Sequence, residues 1–187
     1  MSDTTITIIA IFLAAILMFI FPLMAMSDRT DDVSQLTVQT ATTEFVDNVR
    51  TTGVLSLEKY DSFYQEIAAT GNTYDVEMEI QVLDENPGKK STQTETTKIG
   101  ENVYYTLYTT QILDTLNANS TATQNAVYRL KEGDIFSAKV KNTNTTISQQ
   151  LKNAFYKVTG NDTYQIAAQH AGIVTVNGTG SNWKTQK

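Results

Sequence analysis

ITIIAIFLAAILMFIFPLMAM (residues 6–26), running directly into SDRTDDVSQLTVQTATTEFVDNVRTTG (residues 27–53), is the stretch on which the fold turns. The first part carries no charge, and Thr7 is its only polar side chain. As a helix it is long enough to cross a hydrocarbon core of about 30 Å. It has to be helical there, because lipid offers the backbone no hydrogen-bond partner. In the second part Val33, Leu36, Val38, Ala41, Phe45 and Val49 recur at spacings that mostly track one helical face. No Gly or Pro interrupts the chain between Leu23 and Thr52, and Gly53 supplies a stop. The expectation is one continuous helix from Thr5 to Thr52, roughly 70 Å long, apolar first and amphipathic later. Pro22 removes a backbone donor within it and predicts a kink, which membrane helices tolerate.

This places a helix over residues 1–53, with its membrane-spanning segment at 5–26. A head follows at 54–178, then a tail at 179–187 in which Trp183 is a tether. A cleaved signal peptide is the competing reading of the apolar run, but Met-Ser-Asp is not a basic n-region and the run is long. Only Arg29 lies near the span, surrounded by Asp28, Asp31 and Asp32, so the distribution of basic residues does not set the orientation. The working domain lies C-terminal to the span and is expected outside the cytoplasm, anchored in the cytoplasmic membrane.

The head reads as α+β. Ser56 is a fair N-cap for a helix over Leu57–Ala69, with Leu57, Tyr60, Phe63, Tyr64, Ile67 and Ala68 on its apolar face. Tyr74, Val76, Met78, Ile80 and Val82 alternate with Asp75, Glu77, Glu79 and Gln81, the pattern of a half-buried antiparallel strand. Asn86-Pro87-Gly88 makes a turn, and Ser91–Ile99 a polar strand or loop. Apolar residues at 103, 107, 108, 112, 113 and 116 predict a helix over Val103–Leu116, followed by a solvated loop over Asn117–Asn125. Val127–Leu130, a turn at Gly133 and Asp134–Lys141 predict a hairpin. Ile147–Val158 has helical spacing, and Tyr164–Gln169 with Gly172–Val176 suggests a final strand pair. Together these give one antiparallel sheet with helices on one side.

Composition excludes several functions. There is no cysteine, so neither disulfides nor thiolate chemistry is available. A net charge of −6 with scattered basic residues disfavours nucleic acid. Threonine is unusually frequent, about thirty of 187 residues. His170 is the sole histidine and reads as a turn or surface residue. Asp84-Glu85-Asn86 lacks the spaced oxygens of a calcium loop, and Asp75, Glu77 and Glu79 read as a solvated sheet face. No phosphate loop, nucleophile motif or metal pair is visible, so no enzyme activity, cofactor, metal or small-molecule substrate is expected. Sequons at Asn119, Asn144, Asn161 and Asn177 fit surface loops able to carry glycan.

The apolar stretch Ile6–Met26, Pro22 within it and the amphipathic run to Val49 resemble the type IV pilin superfamily. FVDNVRTTGVLSLEKYDSFYQEIAATGNTYDVEMEIQ (Phe45–Gln81) and YRLKEGDIFSAKVKN (Tyr128–Asn142) are similar to pseudopilin-type subunits of tight-adherence secretion and pilus systems. The resemblance implies a lollipop-shaped structural subunit of an extracellular filament. It would wait in the membrane and then pack against copies of itself or related pilins. Ile9, Phe12, Ala15, Phe19, Pro22, Phe45 and Val49 would form the assembly helix, its small residues Ala10, Ala14 and Ala15 allowing close approach. Asp3, Arg29, Asp31 and Asp32 would pair between subunits, since a buried charge needs a partner. Two features depart from the pattern: no basic leader ending in Gly precedes the apolar helix, and Thr5 stands where many members carry Glu. Two other classes stay open. One is a monomeric tethered surface or adaptor protein, which forms no high-mass assemblies. The other is a membrane-bound sensor or enzyme, which needs a deep polar pocket.

Overall fold

The computed structural model describes residues 2–84, 103–118, 127–156 and 165–178. A single helix, α1 (Ser2–Thr52), runs for 51 residues with Pro22 inside it, about 75 Å end to end. Gly53 ends it with φ +64°, donating its N–H to the Val49 carbonyl at 2.8 Å. A Cβ on Gly53 would lie 2.6 Å from the backbone of Val176 and Gly178, so the left-handed stop also lets the C-terminal segment pass close by.

Beyond the spine come β1 (Val54–Ser56), α2 (Leu57–Ala68), β2 (Tyr74–Asp84), β3 (Val103–Tyr108), α3 (Thr109–Ala118), β4 (Val127–Arg129), β5 (Ile135–Asn142), α4 (Ile147–Tyr156) and β6 (Ala167–Ile173). The Ser56 hydroxyl caps α2 by accepting from the Lys59 N–H. The strands form an antiparallel four-stranded sheet in the order β3-β2-β5-β6 and a separate β1–β4 pair. The architecture is α+β: a long N-terminal helix with a small head of antiparallel sheets and packed helices.

The core forms where the second half of α1 lies on the sheet. α1 packs chiefly on β6 and β5, and its Val38, Ala41, Phe45, Val46 and Val49 share one buried core with Val76, Met78 and Ile80 of β2 and Phe136, Ala138 and Val140 of β5. Phe45 is the pivot, stacked on Phe63 of α2 at 4.4 Å and edge-on to Phe136 at 5.7 Å.

Several sequence expectations need correction. The single helix over Val103–Leu116 is a strand and then a helix. VYYTLY pairs with β2 from Val103 opposite Asp84 to Tyr108 opposite Glu79, and α3 begins only at Thr109. Its aromatic and β-branched side chains suit a pleated edge, and sheet pairing overrides the helical spacing. The hairpin over Val127–Lys141 does not form, because β4 pairs with β1 while β5 pairs with β2 and β6. The final strand pair is one strand, β6, with His170 inside it opposite Ala138. Gly172, expected to open the second strand of that pair, sits inside β6 opposite Phe136, and Arg50 lies across it: a Cβ there would meet the Arg50 side chain at 2.7 Å. The single expected sheet is two. The turn Asn86-Pro87-Gly88, the segment Ser91–Ile99, most of the loop Asn117–Asn125, Val158 and the tail 179–187 with Trp183 lie outside the described residues.

Candidate functional site

The first half of α1 stands clear of the head. Ile9, Phe12, Ala15, Phe19 and Pro22 are all exposed, Phe19 at 76 %. This helix is long and apolar enough to cross a membrane, and among the described residues nothing covers its most apolar stretch. A large apolar surface left open in this way marks a contact with lipid or with another chain. Phe45 and Val49, grouped with the assembly helix from sequence, are not on this free surface; both are buried in the chain's own core.

Above the span the helix has two faces. Asp31, Ser34, Val38, Ala41, Phe45 and Val49 turn inward. Val33 and Leu36, expected on that face, stay 60 % and 65 % exposed and continue the apolar surface of the rod. The helical period carries the signal that would have separated them, since Leu36 lies about 200° around the helix from Val38. The hydroxyls on this segment fold back on their own helix. Thr30 donates to the Met26 carbonyl at 3.0 Å, Ser34 to Thr30 at 2.9 Å, Thr37 to Val33 at 3.0 Å and Thr43 to Gln39 at 2.9 Å. Such internally satisfied threonines can be covered without stranding a donor.

The charged knot divides between the two faces. Asp31, only 7 % exposed, accepts from the Thr146 hydroxyl at 2.7 Å, and Asp28 accepts from the Ser148 hydroxyl. Thr146 is also the cap of α4: its hydroxyl accepts from the Gln149 N–H at 3.2 Å and its N–H donates to Gln149 Oε1 at 3.1 Å. Two spine carboxylates therefore sit at the positive end of α4. The inter-subunit role expected of Asp31 meets a carboxylate already engaged within the chain. Arg29 and Asp32 are exposed, as is Asp3 near the far end of the helix. One turn above Asp31, Gln35 donates to the Ala167 carbonyl at 2.7 Å and accepts the Ala167 N–H at 3.0 Å, closing the start of edge strand β6.

Other residues singled out from sequence are dispersed. His170 is half-buried, its Nε2 3.5 Å from Asp47 Oδ1, and Arg50 Nε lies 3.1 Å from the same oxygen. Glu77 and Glu79 face outward along an open groove of about 460 Å³ that also includes Tyr108, Thr110, Ser137, Lys139 and Gln169. Lys139 bonds Glu77 at 2.8 Å, holding the Glu77 carboxyl below and its own ammonium above their ordinary values, and Gln81 donates to Glu79 at 2.9 Å. Among the described residues no three His, Asp or Glu side chains converge to hold a metal. Asn144 is tied into the fold, its Oδ1 accepting the Thr73 N–H and its Nδ2 donating to Asn72, both at 2.9 Å. Asn177 is exposed, and its Oδ1 accepts the Glu132 N–H. Asn119 and Asn161 lie outside the described residues, as do Glu85 and Asn86. No family model matches this chain, and neither a curated protein nor a solved structure matches it.

Proposed function

We propose that the chain is a structural subunit of an extracellular filament of the type IV pilus kind. Its N-terminal helix holds it in the membrane before assembly, and the same helix packs against neighbouring copies afterwards. The reading rests on the unbroken α1, whose first half is bare and apolar and whose second half is the inner layer of the head. A subunit built this way carries its assembly rod rigidly. Moving the rod from lipid into a bundle of like helices keeps its apolar surface out of water, so one sequence serves both states.

A lone membrane anchor accounts for residues 6–26 equally well, but it leaves Val33 and Leu36 in water about 10–15 Å beyond Met26. A neighbouring helix is the cover the filament provides. Leu36→Glu therefore separates the two readings. The side chain is outside both the span and the head core, so membrane retention and the folded head are expected to survive. Electron microscopy of sheared cell-surface material is expected to show filaments for the parent chain, and to show them lost or reduced at least tenfold for the Glu variant. A parent chain that stays membrane-bound and yields no high-mass assembly would identify the lone anchor instead. Undiminished filaments from the Glu variant would show that the polymer does not bury this face.

A further inference from the structure

The head is fastened to the spine at a height set by chain length. The apolar run ends at Met26, and the first head contacts follow at once: Asp28 with Ser148 and Asp31 with Thr146. At 1.5 Å per residue these lie about 3 Å and 8 Å past Met26. The polar layer on each side of a bilayer's hydrocarbon core is about 5–8 Å thick. With residues 6–26 filling the core, Thr146 and Ser148 fall in or at the edge of the headgroup layer. Between them in sequence stands Ile147, 62 % exposed. Between residues 143 and 150 the other exposed side chains, Thr143, Thr145 and Gln150, are uncharged. Arg29 is exposed one residue beyond Asp28, which brings a guanidinium to the level of lipid phosphates.

The geometry points to the first turn of α4 as a second membrane contact, in which Ile147 enters the lipid interface and the head stands on the bilayer rather than above it. The occupant is the lipid headgroup layer. Height selects it, because the hydrogen bonds from Asp28 and Asp31 hold this turn within reach of the membrane, and the exposed apolar side chain of Ile147 suits an interface. Asp28 and Asp31 are turned onto α4, while Asp32, exposed, lies about 9 Å past Met26, at the outer edge of the headgroup layer. The inference rests on residues 6–26 spanning a membrane and is independent of any filament. It fixes the tilt of the head on the membrane: a rod gripped at one point and a head touching at another cannot rock freely.

The chain has no cysteine, so single-cysteine variants carry one label each. Full-length Ile147→Cys, Val176→Cys and Ala15→Cys are labelled with an environment-sensitive fluorophore. They are placed in phosphatidylcholine vesicles, with and without nitroxide-headgroup lipid, at no more than one chain per vesicle. Val176 lies beside Thr175, whose N–H bonds the Arg50 carbonyl near the far end of α1, and reports the distal head. The label at 147 is expected to be quenched by headgroup nitroxide at least threefold more than the label at 176. Equal quenching at 147 and 176, with the label at 15 shielded in lipid, overturns the contact and leaves the anchor standing. A label at 15 open to aqueous quencher overturns the anchor and the contact with it. Shielding at 147 that appears only at many chains per vesicle assigns the surface to a second copy and overturns the lipid assignment.

Discussion

Tyr128 shows how a residue that looks ordinary in sequence becomes an energetic element of the fold. It is half-buried on β4, and its phenol is pushed up to about 12, first by burial and then by the neighbouring Tyr105 and Asp134. A tyrosine whose folded value lies above the unfolded value of about 10 holds its proton more tightly when folded. Its contribution is fully present below pH 10 and is lost as pH rises towards 12. A two-unit shift corresponds to about 2.7 kcal/mol, and solvent screening of the partly exposed ring brings this nearer 1–1.5 kcal/mol. Between pH 9.5 and 11.5 the unfolding free energy from urea titration should therefore fall by about that much more for the parent chain than for Tyr128→Phe. Parallel profiles would show that the ring is solvated. Legibility at this scale follows sequence distance. The Ser56 cap was readable because its bond reaches only three residues to Lys59. The pairings of Asp28 with Ser148 and Asp31 with Thr146 join positions 120 and 115 residues apart, so the same carboxylates read locally as an exposed charged knot.

At the scale of elements, long periodic segments were legible and short competing ones were not. Residues 6–52 carry a long apolar run and then a helical period, with no Gly or Pro after Pro22, and α1 is unbroken. β2 alternates over most of its 11 residues, and α2 and α4 begin where sequence placed them. Val103–Leu116 satisfies a helical period, yet its first six residues pair with β2, because β2 offers an open edge that the local pattern cannot reveal. Thr109 makes the change of element possible. Where β3 ends, its hydroxyl replaces the ladder, accepting the Met78 N–H at 2.6 Å and donating to the Met78 carbonyl at 3.1 Å. Thr109→Val keeps the shape and removes both bonds, leaving two partly buried backbone groups unpaired at about 2–3 kcal/mol. The variant should unfold at correspondingly lower urea, with the Met78 amide exchanging faster than in the parent chain. Unchanged protection at Met78 would mean that the strand closes without the hydroxyl. The absent hairpin has a similar cause. Asp134, buried, accepts from the Leu83 and Lys131 N–H groups at 3.0 and 2.8 Å, and so draws the turn after β4 onto the end of β2.

At the scale of the whole molecule, the division at residue 53 marks where the chain changes direction, not where one folding unit ends. Val38, Phe45, Val46 and Val49 of the spine are buried side chains of the head, with Ala41 between them. At about 1.5–3 kcal/mol for each large one, their burial is on the order of 8 kcal/mol, comparable to the whole stability of a domain this size. Without the spine, β5 and β6 would lose the helix that covers them, and Phe136 and Phe63 would lose the Phe45 ring they pack on. Residues 54–187 alone are therefore expected to lose near-ultraviolet circular dichroism and to unfold without a cooperative transition. Residues 28–187, which keep every buried spine side chain and drop only the bare apolar rod, should fold as a soluble domain with a single urea transition. A cooperative transition from 54–187 would make the head a self-sufficient body to which the spine is merely docked. The grip at Asp28, Asp31 and Gln35 would then be a hinge rather than a weld. The distinction matters for both proposals, because a filament subunit and a head seated on lipid would each need the rod and the head to move as one.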